Sequence, residues 1–283
     1  MNKHYLKWGL GVAAVAAAGV LLDSLVLEKY FFDVKHFDIG EGKSGKVLKL
    51  ALLTDLHLKH HLYPQHRRLA SRINQLKPDL LLITGYTLDS MGKASTADEF
   101  LGLINDSIPK AAIPGNHDHL AADSLAQLQE AYVRHNCQLL VNTSKAYTLQ
   151  NTRLMVTGLD DFIRGKSNVP AALEGVGTEQ HHLLLIHSPL QQEQAMSEIS
   201  KLNQQRAASE KVQVSYIFAG HSHGGQVRLP GYVPVHPKKS GDYLEGWYNS
   251  KPPYLYVSKG FGTSRLPVRF LARSEMVVFN YHV

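Results

Sequence analysis

The chain has 283 residues, 44% hydrophobic and 19% charged, a balance that describes a folded domain and excludes a disordered one. One cysteine, Cys137, excludes an internal disulfide and a cysteine-built zinc site, so a metal would have to be held by His, Asp, Asn or Glu. The formal charge of +6 suits an anionic membrane surface or a phosphorylated substrate; no arginine-rich run or aromatic-basic RNA motif accompanies it, so nucleic acid is not an expected partner.

Lys3 and Lys7 precede an apolar run from Trp8 to Leu22, which resumes at Leu25-Val26-Leu27 after Asp23 and Ser24. Residues 1–30 are therefore expected to form a hydrophobic segment, with the main domain over 31–283. A cleaved signal peptide has an apolar stretch of about 7–15 residues, whereas a spanning anchor wants roughly 20. Leu6 to Leu27 reaches that length if Asp23 lies near the interface, so an uncleaved anchor is favoured over a signal peptide or a buried core helix. Tyr5 and Trp8 suit the interface, and lysines ahead of the run put the main domain on the extracytoplasmic side. A helix lying in the interface would leave it cytoplasmic.

Phe31 to Ile39 alternates loosely and reads as a strand, Gly40 to Gly45 as a turn, and Val47 to Thr54 as an apolar strand ending at Asp55. Gln65 to Leu76 has helical spacing. Leu80 to Thr84 is a continuous apolar strand, the pattern of burial on both faces. A short helix is expected at Phe100 to Ile104, and a strand at Ala111 to Pro114. Asp123 is placed to cap a helix running to about His135. Strands follow at 139–141, 154–156 and 182–186, then a helix from about Leu190 to Ala208 and a strand at 215–219. Short strands near 226–229, 254–257 and 276–281 finish the chain. Alternating strands and helices followed by a β-rich end predict an α/β fold of layered sheets with helices outside.

Metal-ligand residues cluster where the apolar runs end: Asp55-Leu56-His57, Gly115-Asn116-His117-Asp118, His187, and Gly220-His221-Ser222-His223. Strand ends in an α/β sheet open into a common crevice. Imidazoles with carboxylate and amide oxygens suit Mn, Fe, Co, Ni or Zn. Each motif alone is modest. In order and identity, with Gly85-Tyr86-Thr87-Leu88-Asp89 between the first two, they resemble the calcineurin-like metallophosphoesterases, and Gly260 to Ser264 with Leu266-Pro267 and Arg269 resembles the end of the membrane-anchored YkuE-like branch. The resemblance implies a β-sandwich flanked by helices and two divalent ions, manganese favoured. One ion would be held by Asp55, His57 and His223, the other by Asn116, His187 and His221. It implies His117 facing the scissile phosphate and Asp118 orienting that imidazole. Asp118 is also placed to cap a turn starting at His119. Ligating imidazoles need acceptors on their other nitrogen, and Asp89 is one candidate.

One residue departs from the family's pattern. Where the resemblance calls for an aspartate bridging both ions, directly after the glycine, this chain has Tyr86. A phenol reaches several ångströms further and ionises only near pH 10. The expected function is hydrolysis of phosphoric esters, weakened at position 86. A lipid-linked substrate, such as a UDP-diacylglucosamine type of intermediate, is implied by resemblance to anchored relatives. Arg265 and Arg269 would suit its phosphate or be plain surface charges. The alternative is a binding or scaffold protein that keeps the fold without turnover. No obligate protein partner is inferred. A serine hydrolase using Ser188 or Ser222 is disfavoured, since neither lies in a Gly-x-Ser-x-Gly elbow.

Overall fold

The computed structural model describes residues 3–42, 44–121, 123–264 and 266–283. Its strands are β1 (Asp33–Ile39), β2 (Val47–Leu53), β3 (Leu80–Thr84), β4 (Lys110–Ile113), β5 (Cys137–Leu139), β6 (Thr143–Leu149), β7 (Thr152–Gly158), β8 (His182–Leu185), β9 (Tyr216–Ala219), β10 (Gly246–Tyr248), β11 (Tyr254–Val257) and β12 (Glu275–His282). They form two six-stranded sheets, ordered β1-β12-β2-β3-β4-β5 and β10-β11-β9-β8-β7-β6. Strands β2 to β5 are parallel to one another, as are β7, β8, β9 and β11.

The apolar runs explain the layers. Every residue of β3 is buried, because both faces are covered. Leu81 and Ile83 cluster with Leu69, Ile73, Phe100 and Tyr132 of the helices Pro64–Leu76, Ala94–Gly102 and Leu125–Arg134. Leu80 and Leu82 cluster with Leu183, Leu185 and Phe218 of the other sheet. That sheet's outer face, with Leu184 and Ile217, meets Ala195 and Ile199 of the helix Gln191–Gln204. The result is the helix–sheet–sheet–helix order expected.

Local departures have local causes. The helix expected at 100–104 begins instead at Ala94, whose amide donates to the Asp123 carboxylate at 2.6 Å. Asp123 thus caps that helix, while Ser124 caps the helix at 125–134 through a capping box with Gln127. The strand expected at 139–141 lies two residues earlier, and the helix expected to reach 208 ends at Gln204. Strand β6 pairs with β7 in a hairpin whose turn residues, Gln150 and Asn151, both have positive φ. Residues 226–229 make only single bridges, Val227 to Phe270 and Leu229 to Tyr232.

The N-terminal segment is a helical rod: an α-helix at Lys3–Leu22, a π turn at Asp23–Leu27 and a last turn at Glu28–Tyr30. By length and composition, Gly11–Tyr30 could cross a membrane. Val12 and Val15 are 66% and 75% exposed, so this is not a core helix. The rod's end docks on the domain. Ser24 O accepts from Arg269 N at 3.1 Å, Glu28 O from Ser274 N at 3.2 Å, and the Glu28 carboxylate from Ala272 N at 2.8 Å. Strand β1 follows directly and runs parallel to β12, which is antiparallel to β2. The rod therefore meets the domain at the end of the sheet where β2 finishes.

Candidate metal centre

The same end collects the motifs. Strand β2 leads to Asp55 and His57, β3 to Tyr86 and Asp89, β4 to Asn116 and His117, β8 to His187, and β9 to His221 and His223. Their loops are stitched by backbone bonds: Asp55 N to Gly85 O, His57 N to Tyr86 O, and Gly220 N to His187 O. Asp55, His57, Tyr86, His221 and His223 have φ of 56, 50, 52, 70 and 52°, the left-handed region that non-glycine residues seldom occupy. Such outliers cluster where a scaffold holds reactive groups. The loop after β11 closes behind them. A Cβ at Gly260 (φ +69°) would lie 2.6 Å from the Asp55 Cβ, so only glycine fits there.

Three donors converge. The His57 and His223 Nε2 atoms lie 3.1 Å apart, and His223 Nε2 is 3.8 Å from Asp55 Oδ1. Asp55, His57 and His223 each offer a ligand atom, all within 4.8 Å of one another and all buried. His57 Nδ1 faces Asp89 Oδ2 at 3.2 Å, which leaves Nε2 for the centre. Burial pushes the Asp55 carboxyl up to about 7 and the His57 imidazole down to about 4. A carboxylate this deep needs a positive neighbour, and neutral imidazoles supply lone pairs. These residues fit a divalent cation.

The second predicted set differs. His187 donates Nδ1–H to Thr84 O at 2.8 Å, and its Nε2 is buried with no hydrogen-bond partner among the described residues. His221 donates Nε2–H to Lys238 O at 2.8 Å, turning Nδ1 inward. Both tautomers are those of a ligand. Between them stands Tyr86, only 3% exposed. Its hydroxyl donates to Asn116 Oδ1 at 2.5 Å and lies 3.2 Å from His221 Nδ1. Its ring centroid is 4.1 Å from that of His187. Burial holds the phenol well above its usual pKa, so it is neutral.

Other residues make contacts that the sequence did not announce. Asp118 accepts from the amides of Gly115 (2.8 Å) and Leu88 (2.7 Å), tying two ligand loops together. Burial raises its carboxyl to about 6. Asp89 Oδ2 lies 3.9 Å from His117 Nδ1. Arg269 is neither a surface charge nor a phosphate ligand. It is fully buried and donates to the carbonyls of Lys259, Gly262 and Ala272, with Nη2 3.3 Å from His223 Nδ1. Nothing in its motif signals that role except its place after a glycine-rich loop. Arg265 lies outside the described residues. Ser188 and Ser222 spend their hydroxyls on the carbonyls of Lys239 and Leu244.

A double sheet whose strand ends gather aspartate and histidine into a cluster that fits a divalent cation defines a metallohydrolase scaffold. The chain belongs to the calcineurin-like phosphoesterase family, whose profile matches residues 48–225. Among its relatives is YkuE of Bacillus subtilis, described as an uncharacterized metallophosphoesterase, 27% identical with 98% of this chain and 96% of that one covered. An uncharacterized metallophosphoesterase of Aquifex aeolicus is 27% identical over 89% and 92% of the two chains. A transmembrane protein with metallophosphoesterase domain from Danio rerio is 28% identical over 81% of this chain, which spans 52% of that one.

Proposed function

We propose that this chain hydrolyses phosphoric esters presented at a membrane surface, using a divalent cation held by Asp55, His57 and His223. The observation that carries the reading is the convergence of those three buried donors beside a partly exposed histidine, His117. A cation there supplies Lewis acidity toward a phosphoryl oxygen and makes a water more acidic. One carboxylate with two imidazoles suits manganese among other borderline ions. His117 lies at the solvent side, its ring 5.1 Å from that of His57, placed to donate to the leaving oxygen. Asp89, between the two imidazoles, favours a proton on each Nδ1.

The membrane part rests on position. Leu229, Tyr232 and Leu266, exposed by 49%, 61% and 59%, lie on two loops joined through Arg228 N to Phe270 O and Gln226 Nε2 to Leu266 O. The second loop also receives Ser24 and Glu28 of the apolar rod. Rod, apolar rim and metal residues thus share one end. A lipid phosphate or pyrophosphate would reach the centre with its chains still in the bilayer, and the lysines ahead of the rod put that end outside the cytoplasm.

The test uses the purified full chain with manganese, on a soluble diester (bis-p-nitrophenyl phosphate) and on vesicles carrying a lipid pyrophosphate. EDTA abolishes turnover, and His117→Ala lowers kcat by about 10²–10⁴, the usual contribution of a positioned acid. Faster turnover on vesicles supports the lipid substrate; faster turnover on the diester replaces it with a soluble one. Tyr86 favours one second reading, a fold kept for binding. Cation binding with no hydrolysis of either probe selects it.

A further inference from the structure

We infer that this chain holds one divalent cation rather than two, because the Tyr86 side chain takes the second cation's place. The second set would need Asn116 Oδ1, His221 Nδ1 and His187 Nε2. The Tyr86 hydroxyl is bonded to the first and within 3.2 Å of the second. The Nε2–H of His221 is already given to Lys238, so Nδ1 is its one remaining lone pair. The third donor belongs to His187, whose ring packs against the phenol ring; that ring also touches His57 and His117, the centroid separations to His57, His117 and His187 being 4.6, 4.5 and 4.1 Å.

The ring has little room to leave. A Cβ at Gly115 would stand 2.7 Å from Tyr86 Cδ1, so the neighbouring strand end already touches it. Charge argues the same way. Two dications about 3.5–4 Å apart need negative charge between them. Tyr86 stands where the bridging carboxylate is expected and brings no carboxylate oxygen to that place. Of the six expected ligands, Asp55 alone carries a carboxyl group. His187 Nε2 is the cost of the exchange: a buried lone pair with no hydrogen-bond partner among the described residues.

The inference rests on the same ligands as the proposed function, but its readouts are metal content and spin coupling. A chain that binds one cation and hydrolyses nothing would overturn the function alone. The full chain in detergent is loaded with Mn(II), freed of excess, and analysed by plasma mass spectrometry and electron paramagnetic resonance. One manganese per chain with an uncoupled six-line spectrum is expected, unchanged in Tyr86→Phe, which keeps the ring. Tyr86→Asp is expected to bind two, with an exchange-coupled spectrum. In the unaltered protein, His187→Ala leaves manganese affinity within about twofold, while Asp55→Asn lowers it by at least about tenfold. Two coupled ions in the unaltered chain would overturn the inference. So would a tenfold loss of affinity in His187→Ala, or a folded Tyr86→Asp protein that still binds one.

Discussion

Asp118, expected to steer an imidazole, anchors peptide groups. Its two carboxylate oxygens take the amides of Gly115 and Leu88, so the loops carrying Asn116 and Tyr86 hang on one side chain. Asp118→Asn keeps the shape but sets an NH2 group against an amide donor. A loss of about 1–3 kcal/mol in urea unfolding is expected, the range for an unsatisfied buried group; an unchanged midpoint would show that the loops hold without it. Two histidines away from the centre predict the response to acid. Burial pushes His66 and His182 from 6.5 down to about 4. The unfolded chain therefore takes up protons first as pH falls, so their contribution is complete above about 6.5 and is lost toward about 4. The change in thermal midpoint between pH 7.5 and 4.5 should turn less destabilising in His66→Gln combined with His182→Gln, and an unchanged difference would contradict the assignment. The ligand side chains were legible because their identity carries their chemistry. The acceptors that fix two of their tautomers, Thr84 O and Lys238 O, were not, since a backbone carbonyl has no sequence signature.

At the level of elements, the buried parallel strands were legible and the edges were not. Leu80 to Thr84 announces itself because both faces need apolar cover. Strand β6 is an edge strand with one solvated face, and its polar residues prompted no strand expectation. The strap after β11 was legible only as a family-like tail, because the contacts that tie it run from its own Arg269 to backbone carbonyls, which have no sequence signature. Arg269 holds the carbonyls of Lys259, Gly262 and Ala272, while Gly262 N donates to Asp55 O at 2.6 Å and Phe261 N to Thr54 O at 3.0 Å. A lysine offers a compact ammonium in place of this planar fork and leaves carbonyls unpaired. Arg269→Lys is expected to weaken manganese binding by about tenfold or more and to lower the melting temperature, both read on one preparation by titration and calorimetry. Tight binding with normal stability would make the strap incidental.

For the whole molecule, two sheets whose parallel strands finish at one end place distant loops in a single crevice, and the apolar rod arrives there too. The four-layer order followed from alternating apolar runs. The meeting of rod and crevice did not, because it depends on β1 lying parallel to β12 across some 240 residues of chain. If the apolar rim rests on lipid, Leu229→Asp combined with Leu266→Asp lowers kcat/KM on vesicle-borne substrate and leaves the rate on a soluble diester unchanged. Equal loss on both probes would make these residues part of the catalytic fold instead.

Where the rod ends and the domain begins also sets how the protein can be released. A protease, or a cloning scheme guided by hydropathy, would sever the chain near residue 30 and carry away the carboxylate of Glu28. The amide of Ala272 would then lose its acceptor. Fragments starting at 31 should have a loosened back wall and poor manganese retention, whereas fragments starting at 23, which retain Ser24 and Glu28, should keep the wall closed and hold manganese.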